Sequence, residues 1–330
     1  MAKSRKLEEL LARLAQIQED PTSVEGRATL QHVLSSKFSI AIAKAAKLVA
    51  TSALSELIPE LVAAFDRLFS SVKETDQGCL AKHAIAEALY RLDYSDEILF
   101  LKGIRHVQME AVWGGQEDTA AALRGTCALG LVRMNYPDVM SELADLLADP
   151  QPAARIAAAR AIAYSENPTG VPLLRLRIRV GDELPVFSEC IAALLKLAPT
   201  QSLPLVQTLL YLDRPLLTVV ADRGKAEAVA LALAESQLPQ AFSFLQQWWE
   251  KVPDRELRQS ALLAIATLRQ TDAQAFLLTL ITEGSLQDAK DAIHALGIYR
   301  QDDRLWQRIQ HAVEQRGEPR LSEMVVEARR

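Results

Sequence analysis

The sequence predicts an all-α protein built as a solenoid of paired helices, on three observations. Its composition favours helix: Ala, Leu, Glu, Gln and Arg abound, and there are only 13 glycines in 330 residues, where an average chain of about 7% glycine would carry roughly 23. A small-apolar motif recurs at nearly constant spacing. Runs of alternating β-branched residues joined by hairpin turns are missing, so no strands are expected.

The recurring motif begins at Ala88, Ala128, Ala161, Ala193, Ala230, Ala264 and Ala295, at intervals of 40, 33, 32, 37, 34 and 31 residues. Such a period is the signature of a repeat array, in which each unit packs on its neighbours. The array is therefore read as a single domain over 1–330. About seven to eight helix pairs fill 22–300, with helical caps at 1–20 and 301–330. The pair around Ala161 is the clearest. NYPDVMSELADLLADP gives a first helix with Pro137 suited to its first turn, and DPQPAARIAAARAIAYSENP gives the second, closed by Pro168. The alanines let helices approach closely while Leu and Ile fill the remaining volume.

At the ends the pattern becomes one-sided. Leu7, Leu10, Leu11, Leu14 and Ile17 form one stripe near the N-terminus, and Leu305, Trp306, Ile309 and Val313 form another near the C-terminus, with polar residues elsewhere. Terminal repeats need such a polar outer face.

The second helices carry Asp149, Arg155, Ala158, Ala161 and Ile162, and Asp76, Lys82, Ile85, Ala88 and Leu89, an acid followed six residues later by a base and then by small apolar pairs. Arg258, Ala261, Ala264 and Ile265 follow the pattern with Asp254 only four residues ahead, and the units at Ala193 and Ala230 lack the arginine. Over roughly 22–300 this resembles HEAT repeats of the short, phycobilisome-lyase-like type. The resemblance implies a right-handed superhelix whose second helices line a concave face. HEAT-like arrays include partner-binding scaffolds, bilin lyases and DNA glycosylases, so the fold does not choose among activities.

The net charge of −5 argues against a protein that coats nucleic acid. Cys79, Cys127 and Cys190 lie far apart without a CxxC pair, which fits buried thiols in a reducing compartment. MAKSRKLEELLARLAQIQED does not read as a signal peptide, and no apolar run reaches membrane-spanning length, so a cytoplasmic protein is expected. GxSxG, Walker and HExxH motifs are missing. No catalytic residue, cofactor or metal site is assigned.

The interval of 40 residues exceeds its neighbours, and the excess is HVQMEAVWGG at 106–115, an insertion over 104–117 between two helices of one pair. Insertions in repeat arrays project from one rim and carry binding functions. Arg105, His106, Met109, Glu110 and Trp113 are therefore candidate partner contacts. Trp113 either seals the end of its helix pair or faces outward. A second candidate is basic: Arg124, Arg155 and Arg160 on second helices, with Arg133, Arg175, Arg177 and Arg179 nearby. They either dock an acidic group from the concave face or pair with Asp residues at neighbouring turns. Trp248 and Trp249 point in different helical directions, one toward the core and one toward the surface.

The function expected is a non-enzymatic scaffold that binds another protein through the concave face and the insertion. The alternatives are a bilin-lyase-like, chromophore-handling protein and a HEAT-like DNA glycosylase or nucleic-acid binder.

Overall fold

The computed structural model describes residues 2–70, 76–211 and 220–329, with side chains over 5–70, 76–210 and 223–329. The chain divides into two compact units, Met1–Leu173 and Leu174–Arg330.

The first unit contains α1 (Ala2–Gln16), α2 (Val24–Leu34), α3 (Ser39–Thr51), α4 (Ile58–Ser70), α5 (Leu80–Arg91), α6 (Glu97–Ile104), a β-hairpin of β1 (Met109–Val112) and β2 (Gly115–Asp118), α7 (Ala121–Arg133), α8 (Val139–Leu147) and α9 (Pro152–Ser165). The boundary falls in α10 (Gly170–Val180). The second unit continues with α11 (Leu184–Leu197), α12 (Pro199–Tyr211), α13 (Val220–Glu235), α14 (Ala241–Lys251), α15 (Arg255–Thr267), α16 (Thr271–Glu283), α17 (Leu286–Leu296), α18 (Asp303–Arg316) and α19 (Pro319–Arg329).

Helices alternate between two layers within each unit. In the first, α3, α5, α7 and α9 pack in sequence, while α4, α6 and α8 each pack on the helix that follows. In the second, α11, α13, α15, α17 and α19 form the corresponding row. The row is where the small residues lie: Ala84, Ala88, Ala128, Ala158, Ala161, Ala230, Ala264 and Ala292 are buried, beside Ile85, Leu131, Ile162, Ile265 and Ile293. α7 and α9 approach closely, so that a Cβ on Gly125 would come within 2.6 Å of the Ala157 Cβ. The expected all-α, helix-pair organisation is thus present inside each unit.

Helix ends follow local chemistry. Asp96, Asp254, Ser285 and Asp302 each accept a backbone N–H of their helix's first turn, and α9 and α11 begin on Pro152 and near Pro185. α18 closes on Gly317 at φ +71°, the left-handed position a helix C-terminus gives to glycine.

Two expectations are corrected. The insertion contains strands: β1 and β2 pair antiparallel, Met109 opposite Asp118 and Val112 opposite Gly115. Trp248 and Trp249 are both buried. Trp249 is not on an open surface because α15 of its own pair and α16 of the next one cover it. The Arg258 guanidinium lies 4.1 Å above its ring and Phe276 meets it edge-on at 5.4 Å.

Phe100 of α6 packs against Gly130 of α7, where an added Cβ would lie 2.6 Å from two ring carbons. Gly130→Val is expected to destabilise the protein by about 1–3 kcal/mol through overpacking. The smaller Phe100→Leu should recover part of that loss in the double variant, read from urea midpoints.

Candidate functional site

The insertion leaves α6 at Arg105 and returns to α7 at Ala120. Its turn, Val112-Trp113-Gly114-Gly115, places Gly114 at φ +93°, the conformation that the third residue of a type II turn requires. An isolated two-stranded hairpin is marginal in water. This one is fastened at its base by polar bonds to three other segments.

Gln108 is the hub of those bonds. Its Nε2 donates to Asp76 O at 2.7 Å and to Glu110 Oε1 at 2.5 Å, and its Oε1 accepts Lys82 Nζ at 2.6 Å. Its backbone N–H donates to Asp118 Oδ1 at 3.0 Å. The Glu110 carboxylate also receives the Gly78 N–H at 2.8 and 3.0 Å and the Thr119 hydroxyl at 3.2 Å. Burial pushes the Glu110 carboxyl up, but the bonds from Gln108, Gly78 and Thr119 outweigh it and hold it below the usual carboxylate range. Asp76 accepts the Ala81 and Lys82 N–H groups at 2.8 and 2.9 Å and so caps α5.

His106 is half-buried, its ring 4.6 Å from that of Phe69 and its Nε2 3.4 Å from Gln108 Oε1. Burial lowers its pKa, so the ring is neutral at pH 7. With its lone pairs taken by fixed donors, Glu110 is placed to tie the hairpin down rather than to move a proton. Among the described residues no three His, Cys, Asp or Glu side chains gather as a metal site. The thiols of Cys79, Cys127 and Cys190 are buried, and desolvation raises Cys79 to about 12, far from a reactive thiolate.

The predicted contact residues separate into two groups. Toward solvent stand Trp113, 103% exposed, Met109, 53%, and also Val112, 46%. Arg105 is exposed but bound to Glu142, by Nε at 3.1 Å and by a second, shorter contact through Nη2. Arg160 is exposed on α9. Inside stand Arg124 and Arg155, 2% and 7% exposed. Arg124 lies between two carboxylates, Asp118 at 2.7 Å and Asp149 at 2.8 Å, and donates to His106 O at 2.8 Å. Arg155 donates to the carbonyls of Asp149 and Pro150 at 2.8 and 2.9 Å. Arg124 thus joins the hairpin to the next turn of the repeat, and Arg155 holds the turn that leads into its own helix. The same device recurs in the second unit, where Arg258 bonds Asp288 at 2.9 Å and Trp249 O at 3.0 Å, and Arg223 pairs with Asp254. Arg177 pairs with Asp182.

Sequence reasoning did not find Gln108 or Asp118. The signal for Asp118 was present: it precedes Arg124 by six residues, as Asp76 precedes Lys82 and Asp149 precedes Arg155. Arg223 lies seven residues before Ala230, one position off the repeat spacing, and still reaches the next turn.

No family model and no curated protein matches the chain. Among solved structures, it is similar to the complex of CpcE and CpcF of phycocyanin lyase from Nostoc sp. PCC7120, at 17% identity and a TM-score of 0.36, covering 79% of this chain and 94% of that one. It is also similar to human deoxyhypusine hydroxylase in complex with glycerol, at 15% identity and a TM-score of 0.31, covering 81% and 98%. At these values neither likeness carries a function across, and the reading of this chain rests on its own residues.

Proposed function

We propose that this chain is a non-enzymatic adaptor that holds another protein through its hairpin, with Trp113 as the anchor. The observation that carries this reading is the complete exposure of Trp113 at the tip of a hairpin whose base is fixed by polar bonds. A large aromatic side chain held in water forgoes the gain of burial, and Trp is the residue most enriched at the centres of protein interfaces. Met109 and Val112 extend the apolar surface. A fixed presentation also lowers the ordering cost of association. Arg124 and Arg155, being internal, support the hairpin and its neighbouring turn rather than touch the partner.

The test is affinity capture from the native cell with the wild-type chain and with Trp113→Ala, the partner being identified by mass and its affinity then measured. A hot-spot residue is worth about 2–4 kcal/mol, so a loss of roughly 30-fold or more is expected. A partner whose affinity ignores both Trp113→Ala and Met109→Asp would refute the reading. Titration with a bilin is expected to leave its absorbance unchanged, and a shift would favour chromophore handling instead.

A further inference from the structure

The Thr119 N–H donates to Gln108 O at 3.0 Å, which makes these two residues a hydrogen-bonded pair of the hairpin. Such pairs alternate along an antiparallel ladder, so Glu110 with Glu117 and Val112 with Gly115 are the next ones. The N–H and C=O groups of Met109 and Ala111 therefore point away from β2. No described residue outside the hairpin bonds to them. Among the described residues β1 thus presents a short unpaired edge, which is a template for another strand.

An open cleft of about 530 Å³ lies beside Met109 and Ala111, with Leu68 and Phe69 of α4 among its lining residues. Lys82 also lines it. That side chain is 6% exposed, and its ammonium has three N–H donors. One goes to Gln108 Oε1, the ammonium also stands 5.5 Å from the Phe69 ring centroid, and among the described residues it has no ion pair. The acids around it are differently placed: Asp76 holds two backbone N–H groups and Glu110 is bound by Gly78, Gln108 and Thr119. The acceptors of the cleft are engaged while a buried ammonium keeps donors to give. The lining holds two carboxylates, Asp76 and Glu110, to one cation, so an occupant is selected by an acceptor placed on Lys82 Nζ and not by bulk negative charge.

We propose that the cleft takes an extended segment of the partner protein, added as a third strand to β1, with one of its carboxylates on Lys82 Nζ. The proposal rests on the partner being a protein, as inferred above, and specifies what that protein inserts. Strand spacing of about 4.8 Å sets the segment against the outer edge of β1, and side-chain alternation turns every second residue toward Leu68 and Phe69. Apolar residues at alternate positions with one acid at a fixed distance are the sequence this surface selects. Either an Asp or Glu side chain or a free C-terminus supplies that acid.

The test is selection of linear nonapeptides from a displayed library on the full-length chain, followed by titration of synthetic versions. Selected peptides are expected to share alternating apolar residues and one carboxylate. Converting that carboxylate to the amide should weaken binding at least tenfold, and amidation of the C-terminus alone tells a terminal from a side-chain acid. N-methylation of a residue that pairs with Met109 or Ala111 should cause a comparable loss. These changes are made in the ligand and leave the fold of the chain untouched. Lys82→Met is expected to match the loss caused by amidation. Failure to select any peptide, selected peptides without a common acid, or binding that tolerates N-methylation at every position would overturn the inference. Partner capture lost in Trp113→Ala with no peptide bound would refute the strand alone. Peptide binding of the stated kind with capture indifferent to Trp113 would refute the anchor alone.

Discussion

Arg124→Met is expected to lower stability by about 3–5 kcal/mol, because it strands two buried carboxylates that share one cation. Methionine keeps most of the apolar stem, so the loss reports the charge. Asp118 and Asp149 would face each other without Arg124, and the His106 carbonyl would lose its donor. The effect has a pH signature. Burial alone would push the Asp118 carboxyl up, but Arg124 and the N–H groups of Gln108 and Ala120 outweigh it and hold it below the usual range. A carboxyl depressed in the folded state contributes stability in full above its unfolded pKa of about 3.9, and that stability is lost as pH falls through the folded value. In the variant Asp118 is buried without its cation, so its protonation relieves the strain. The gap between wild type and variant is therefore expected to be widest near pH 7 and to shrink below about pH 4. Urea unfolding at pH 7 and pH 3.5 measures it. A gap equal at both values would mean that lost packing, not the ion pair, is responsible.

The reach of the sequence follows the same physics. Buried alanines and leucines at helical spacing recur because every helix of the inner row meets the same neighbours, so the period was legible from Ala88 to Ala295. The hairpin obeys no such local rule. Its strands are almost wholly exposed, so they carry no apolar alternation, and the bonds that fix them come from Gly78, 32 residues before Glu110, and from Arg124. Trp-Gly-Gly also lacks the Asn-Gly or Asp-Gly signal of a hairpin turn. The burial of Trp249 was hidden for a related reason, since its cover comes from other helices, Arg258 on α15 and Phe276 on α16 of the following pair. The exposure of Trp113 could not be read from sequence because Gly114 allows the turn that lifts it away from the helices. Local periodicity records what every repeat shares, and the candidate site consists of what one repeat adds.

Those shared positions also set where the array ends, and Trp306→Ala is expected to cost about 3–5 kcal/mol there. Trp306 is fully buried beside Leu305, Ile309 and Val313 on the stripe of α18 that the sequence marked as facing inward. Its indole N–H donates to Tyr299 O at 2.9 Å, and the Tyr299 hydroxyl in turn donates to the Ala266 carbonyl at the end of α15. Alanine would leave a large cavity and an unsatisfied carbonyl together, whereas Trp306→Phe keeps most of the volume and removes only the donor. The phenylalanine variant is therefore expected to lose about 1–2 kcal/mol, near the value of one hydrogen bond plus a small void. Because a terminal repeat has a neighbour on one side only, the alanine loss should first appear as faster amide exchange across 303–329. α16 packs on α18 and α17 on α19, so opening of that end bares apolar surface the cap now covers, and aggregation should rise with it. Equal midpoints for the phenylalanine and alanine variants would show that the hydrogen bond to Tyr299, not the filled volume, is what Trp306 contributes.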